Sequence, residues 1–119
     1  MPIDVLIIGQ GLAGSLLAWE LINRGLKVWV VDNGEINASQ VAAGLINPVT
    51  GQRLDKQTGV DYLLPAARTC YDQLSARFNQ LFFNPLPMLR ILKTPLEQQY
   101  AQKRLHQPDY QGFLSIVKT

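Results

Sequence analysis

Three glycines and one acid carry the first chemical suggestion in this sequence. Gly9-Gln10-Gly11-Leu12-Ala13-Gly14 sets glycine at the first, third and sixth positions, and Asp32 follows roughly twenty residues on. With this spacing a backbone turn can receive the pyrophosphate of a dinucleotide. Gly9 permits the tight turn, Gly11 lets the main chain approach the pyrophosphate, and Gly14 lets a helix pack closely on a sheet. The N-terminus of that helix would favour the negative charge. Asp32 would accept hydrogen bonds from ribose hydroxyls. Asn33 and Gly34 come next rather than an arginine, so nothing adjacent suits a 2′-phosphate and NADP is disfavoured. The plain alternatives are a strand-to-helix turn and a solvated strand-end carboxylate, but a turn alone needs one glycine, not three.

The surrounding elements must hold that turn at a strand end. Asp4-Val5-Leu6-Ile7-Ile8 is a short β-branched run ending at Gly9, which predicts a strand buried on both faces of a parallel sheet. A helix should run to about Arg24 with Gly25 as its stop, and residues 27–32 predict a second apolar strand. Strand, helix and strand in about 30 residues make a βαβ unit with parallel strands. At 100° per residue, Gly14, Leu17, Ala18, Leu21 and Ile22 share a stripe that should meet the sheet. Leu12, Leu16 and Trp19 form a second apolar patch, suited to another layer.

Beyond Asp32, the run Asn37-Ala38-Ser39-Gln40-Val41-Ala42-Ala43-Gly44-Leu45-Ile46-Asn47-Pro48 reads as small residues after a Ser39 N-cap, closed by a turn at Asn47-Pro48. Small residues let amides approach a flat or charged ligand, and they also pack well on a helix. The glycine turn, Asp32, Ser39 and the Ala42–Pro48 block together resemble the D-amino-acid oxidase family of FAD-dependent oxidoreductases. That family includes glycine oxidase, sarcosine oxidase and D-amino-acid dehydrogenases. Less specific similarity continues through Met88-Leu89-Arg90-Ile91-Leu92 and the helix after it.

The resemblance implies an α/β fold with a Rossmann-like FAD-binding βαβ unit. Residues 1–84 would be the N-terminal part of the dinucleotide-binding domain, and 85–119 the start of a substrate-side α+β region. It implies non-covalent FAD, with Gly9, Gly11, Leu12, Ala13 and Gly14 on the pyrophosphate and Asp32, beside Asn33, at the adenosine ribose. Ser39, Ala42, Ala43, Gly44 and Leu45 would run along the pyrophosphate and beneath the flavin. Two residues depart from the family pattern: Asp32 stands where FAD members mostly carry Glu, and Val41 where some relatives attach flavin through His. The implied activity is oxidation of a C–N bond in a small amine or amino acid, with hydride passing to flavin and the imine hydrolysed by water. No residue is assigned a catalytic role, because substrate-anchoring groups in relatives mostly lie beyond these residues. A dinucleotide-binding half needs a third parallel strand, so the chain is expected to be the N-terminal portion of a longer protein and inactive alone. The alternatives are an NAD-dependent dehydrogenase, against which the Ala42–Pro48 block argues, and a non-catalytic nucleotide-binding module.

The remaining residues are less telling. Residues 49–60 predict a loop, and about Asp61 to Phe82 a long helix with Leu63, Ala67, Cys70, Leu74, Phe78 and Leu81 on one face. Pro65 would be tolerated near its first turn, and Cys70 would be a buried, inert thiol. Met88–Lys93 predicts a strand, on which Arg90 is more plausibly solvated or ion-paired than facing a substrate carboxylate. Thr94-Pro95-Leu96-Glu97 is a capping box opening a polar helix that ends near His106, and Phe113–Val117 predicts another strand start. The 119 residues are 47% hydrophobic and 17% charged, a globular composition. The 11 basic residues are scattered, with only Lys103-Arg104 adjacent, which disfavours a nucleic-acid partner. One cysteine makes no internal disulfide, and no Cys/His spacing suits a metal. Neither a secretory leader nor a transmembrane run of roughly 20 apolar residues is visible, so the cytoplasm is the expected location.

Overall fold

The computed structural model describes residues Pro2–Val117. The chain divides into two compact units, one ending at Ile46 and the other beginning at Asn47.

In the first unit, β1 (Val5–Ile8) and β2 (Val28–Val31) pair in parallel, with Val5 opposite Val28 and Ile8 opposite Val31. They are joined by α1 (Leu12–Asn23), which completes the expected βαβ unit in a mixed α/β fold. α1 stops where Gly25 takes φ +81°: Gly25 N–H donates to the Ile22 carbonyl (2.9 Å) and Leu26 N–H to that of Leu21 (3.1 Å). This pair of bonds satisfies carbonyls that a helix end otherwise leaves bare.

The strands are not buried on both faces. Ile7 is buried and Val5, Val28 and Val30 are half-buried, whereas Leu6, Ile8, Trp29 and Val31 are exposed. The cause is one-sided cover, because α1 packs on the Ile7 side, where Gly14 sits against Ile7 Cγ2. The helix stripe narrows for a related reason. Ala18 is buried and Gly14 and Leu21 are half-buried, but Leu17 and Ile22 are exposed. Two strands about 5 Å apart make too narrow a floor for all five residues. On the other side Leu16 and Trp19 are half-buried and Leu12 is exposed.

A single helical turn, α2 (Ala38–Val41), follows. Its N-cap is Asn37 rather than Ser39. Asn37 Oδ1 accepts from Gln40 N–H (3.2 Å) while Gln40 Oε1 accepts from Asn37 N–H (3.1 Å), a reciprocal cap.

The second unit begins with a hairpin where a loop was expected: β3 (Val49–Thr50) runs antiparallel to β4 (Asp55–Lys56). Next comes α3 (Val60–Phe78), shorter than expected because Asn79 turns left-handed at φ 51°. Val60 and Leu74 are buried and Leu64, Ala67, Cys70 and Tyr71 half-buried, while Leu63, Phe78 and Leu81 are exposed. Pro65 lies past the first turn, and the helix runs through it.

α4 (Pro95–Leu105) carries the expected capping box: Thr94 Oγ1 accepts from Glu97 N–H (3.2 Å) and Glu97 Oε2 from Thr94 N–H (3.1 Å). His106 closes this helix, its Nδ1 2.7 Å from the Gln102 carbonyl oxygen. A short 3-10 turn at Pro108–Tyr110 brings Tyr110 inward. Val49, Leu54 and Tyr110 form the buried core, with Leu92, Tyr100, Ala101, Phe113 and Leu114 packed around it. The strands expected at Met88–Lys93 and Phe113–Val117 do not form. A strand needs a ladder partner, and β3 and β4 pair only with each other.

Candidate functional site

The glycine turn is built from backbone groups aimed by their neighbours. Gly9 leaves β1 at φ +99°, a conformation that side chains rarely adopt, and its N–H donates to the Val31 carbonyl (2.8 Å). Gln10 N–H donates to Asp32 Oδ2 (2.7 Å), and Gly34 N–H to Asp32 Oδ1 (2.8 Å). The acid after β2 therefore grips the turn after β1. These two bonds, that of Gln10 foremost, hold the Asp32 carboxyl below its ordinary pKa and keep it ionised.

Gly11 caps α1 without a side chain, and its carbonyl receives the first helical bond from Ser15 N–H (2.9 Å). The first amides of a helix have no intrahelical acceptor. Leu12 N–H is satisfied from outside α1 by Ser39 Oγ (3.1 Å). A Cβ on Gly11 would lie 3.3 Å from that same oxygen, a crowded contact that would push Ser39 back by a few tenths of an ångström. Among the described residues no acceptor meets the N–H groups of Gly11, Ala13 and Gly14, which stand as donors at the positive end of α1.

Gly14 is the tightest point. A Cβ there would overlap the Gly9 carbonyl oxygen, 3.1 Å from the carbonyl carbon and 3.4 Å from Ile7 Cγ2. Close packing of α1 on the sheet thus depends on this hydrogen. Beside it, Ile8, Gly9, Val31, Asp32 and Asn33 line an open cleft of about 440 Å³ at the carboxyl ends of both strands. Open α/β sheets take ligands at such a crevice. Asn33 Oδ1 accepts from Glu35 N–H (3.1 Å), fixing the loop that borders the cleft.

The structure brings Gly9, Gly11, Leu12, Ala13, Gly14, Asp32, Asn33 and Ser39 into one neighbourhood. Ala42 ends α2 with its N–H on the Ala38 carbonyl (3.0 Å), and Gly44 follows at φ +68°. Among the described residues, no hydrogen bond joins Ala43, Gly44 or Leu45 to the glycine turn, and Leu45 is exposed. Two features escape sequence reading, the Asp32–Gln10 bond across 22 residues and the Ser39–Leu12 bond across 27. The absent Cβ of Gly11 signalled a close approach but not its owner.

Other candidates have structural duties. Arg90 Nη2 donates to the Gly51 carbonyl (2.8 Å) and to Glu97 Oε1 (3.1 Å), so it is ion-paired. Among the described residues no group of three His, Cys, Asp or Glu could hold a metal, and no helix is long and apolar enough to cross a membrane.

Compared with known proteins, the chain matches the family model described as FAD dependent oxidoreductase (DAO) over residues 4–115. No curated protein and no solved structure matches it. The match takes in both the glycine turn and the unit after it, and the chain belongs to the FAD dependent oxidoreductase family.

Proposed function

We propose that this chain supplies the nucleotide end of an FAD-dependent enzyme that oxidises a C–N bond of a small amine or amino acid. The observation that carries the reading is the first turn of α1, where Gly11, Ala13 and Gly14 offer amide donors beside an ionised Asp32. That donor set fits the pyrophosphate and adenosine ribose of FAD. Amides at a helix start suit phosphate oxygens, and a carboxylate suits ribose hydroxyls.

Gly11, Ala13 and Gly14 N–H would donate to pyrophosphate oxygens, with the α1 dipole adding to the attraction. Asp32 would accept from ribose hydroxyls through the lone pairs that Gln10 and Gly34 leave free. Likeness to the family assigns Asn33 to the ribose end and the segment that starts at Ser39 to the flavin side, with Ala42, Ala43, Gly44 and Leu45 along the pyrophosphate and the underside of the flavin. Val41, where some relatives carry a flavin-linked His, supports non-covalent attachment. When bound, FAD supplies the hydride acceptor for the oxidation. On this reading residues 1–84 belong to the dinucleotide-binding domain and 85–119 open the substrate side, and the chain alone does not turn over substrate.

The test is titration of the purified chain with FAD and, separately, NADH, followed by visible absorbance and dialysis. FAD should bind, show perturbed flavin bands and be released on denaturation. Preference for NADH would overturn the cofactor assignment, and flavin retained by the denatured chain would overturn its non-covalent attachment. For the bond class, flavin on the whole gene product should bleach anaerobically with amines or amino acids. Bleaching by the corresponding hydroxy acids alone would overturn the C–N assignment.

A further inference from the structure

Residues 37–46 are held to the rest of the first unit by very little. Ile36, Val41, Leu45 and Ile46 are exposed at 81%, 73%, 74% and 48%, so apolar packing does not anchor the segment. α2 is a single turn, far too short to be stable by itself, and its reciprocal Asn37–Gln40 cap is internal. Among the described residues, one hydrogen bond joins this segment to α1, from Leu12 N–H to Ser39 Oγ at 3.1 Å. It passes close to Gly11, where a Cβ would stand 3.3 Å from Ser39 Oγ and 4.0 Å from Asn37 Oδ1.

We propose that Ser39 is a positioning residue: its hydroxyl tethers the 37–46 segment to the first turn of α1 and thereby sets where Ala42–Leu45 lie relative to the glycine turn. The inference rests on the FAD reading for its ligand, while the tether itself is a property of the free chain. Ser39 takes one of the orphan amides of α1, leaving Gly11, Ala13 and Gly14 for phosphate oxygens. From Ser39 the chain passes through Ala42, bonded to Ala38, directly into the small residues before Gly44. A loss at Ser39 therefore falls on the flavin half of the ligand rather than on its adenosine half.

Two variants remove the two partners of the bond. S39A deletes the acceptor. L12P deletes the donor at the first helical position, where proline is well tolerated and where Gly11, at φ −71° and ψ −173°, already has the extended backbone a following proline demands. In the ligand-free chain both should speed amide hydrogen exchange at Gln40 and Ala42. S39A should weaken FAD about fivefold, the equivalent of a lost N-cap, while ADP, which lacks the flavin, stays within about twofold. S39T, which keeps the hydroxyl, should restore both readouts. Equal weakening of ADP and FAD would make Ser39 a direct pyrophosphate ligand and overturn the positioning role. Unchanged exchange at Gln40 and Ala42 in both variants would overturn the tether. A wild-type chain that binds neither nucleotide would sink the FAD reading, and the exchange result would still decide the tether.

Discussion

Up to Ile46 the chain buries only Ile7 and Ala18 among its described apolar side chains, whereas from Asn47 onward it closes Val49, Leu54 and Tyr110 into a core. The first unit is shaped mainly by its backbone, through a parallel ladder, glycines where a Cβ cannot fit, and amides bonded to Asp32 and Ser39. The second is shaped by side chains that satisfy one another. Arg104 lies 5.1 Å from the Tyr110 ring centre and pairs with Asp55 at 2.6 Å, while Lys56 lies 6.0 Å from that centre and pairs with Asp61 at 2.8 Å. A unit that builds its turn from main chain leaves amides over for a ligand. In the second unit Lys56, Arg90 and Arg104 are instead engaged by carboxylates of the same unit.

The two units can be followed separately, because Trp19 and Trp29 lie in the first and Tyr62, Tyr71, Tyr100 and Tyr110 in the second. The largest effect should come from Y110A, which empties the core of the second unit. Removing a buried aromatic costs about 3–5 kcal/mol, so the remaining tyrosine signal should melt early while tryptophan fluorescence keeps its midpoint. Loss of both signals together would mean that the units fold as one.

G14A strikes the first unit instead. The new methyl meets the Gly9 carbonyl, a backbone group that cannot rotate away, and overpacking of this kind costs about 1–3 kcal/mol. The tryptophan transition should shift down and FAD binding should fall with it, leaving tyrosine unmoved. An unshifted tryptophan midpoint would show that α1 can lift from β1 at little cost.

The contrast also marks which parts were legible in the sequence. The turn from Gly9 to Gly14, the parallel strands and the Thr94–Glu97 box follow from stereochemistry within a few residues, and each stands where its spacing predicts. Ser39 did not, because its hydroxyl satisfies an amide 27 residues earlier and left the local cap to Asn37. Apolar runs at Met88–Lys93 and Phe113–Val117 have strand composition, but composition supplies no ladder partner. The polar 49–60 stretch concealed a hairpin because its stability comes from distant contacts, among them Lys56 N–H donating to the Tyr110 hydroxyl at 3.0 Å.

A smaller effect isolates the local layer of the second unit. T94A removes the side-chain acceptor of Glu97 N–H, and loss of such a cap costs about 1 kcal/mol. The tyrosine midpoint should fall by less than in Y110A, and helical circular dichroism should drop slightly.

Acid gives the subtlest separation of the two units. Asp32 is held below its ordinary pKa by Gln10 and Gly34 N–H, and Glu97 by Lys93 N–H and then the Arg90 side chain. In each case the unfolded chain takes up the proton at a higher pH than the folded one. Stability from these groups is therefore complete above the ordinary carboxylate range near pH 4 and drains away as pH falls through the lower folded value. Asp32 is exposed, whereas Glu97 is buried and bonded on both oxygens, so the tyrosine transition should lose stability more steeply on acidification than the tryptophan one. D32N should flatten the acid limb seen by tryptophan alone, and E97Q that seen by tyrosine alone. If D32N leaves the tryptophan limb unchanged, the Gln10–Asp32 bond does not hold the glycine turn to β2, and the close approach at Gly14 must hold it instead.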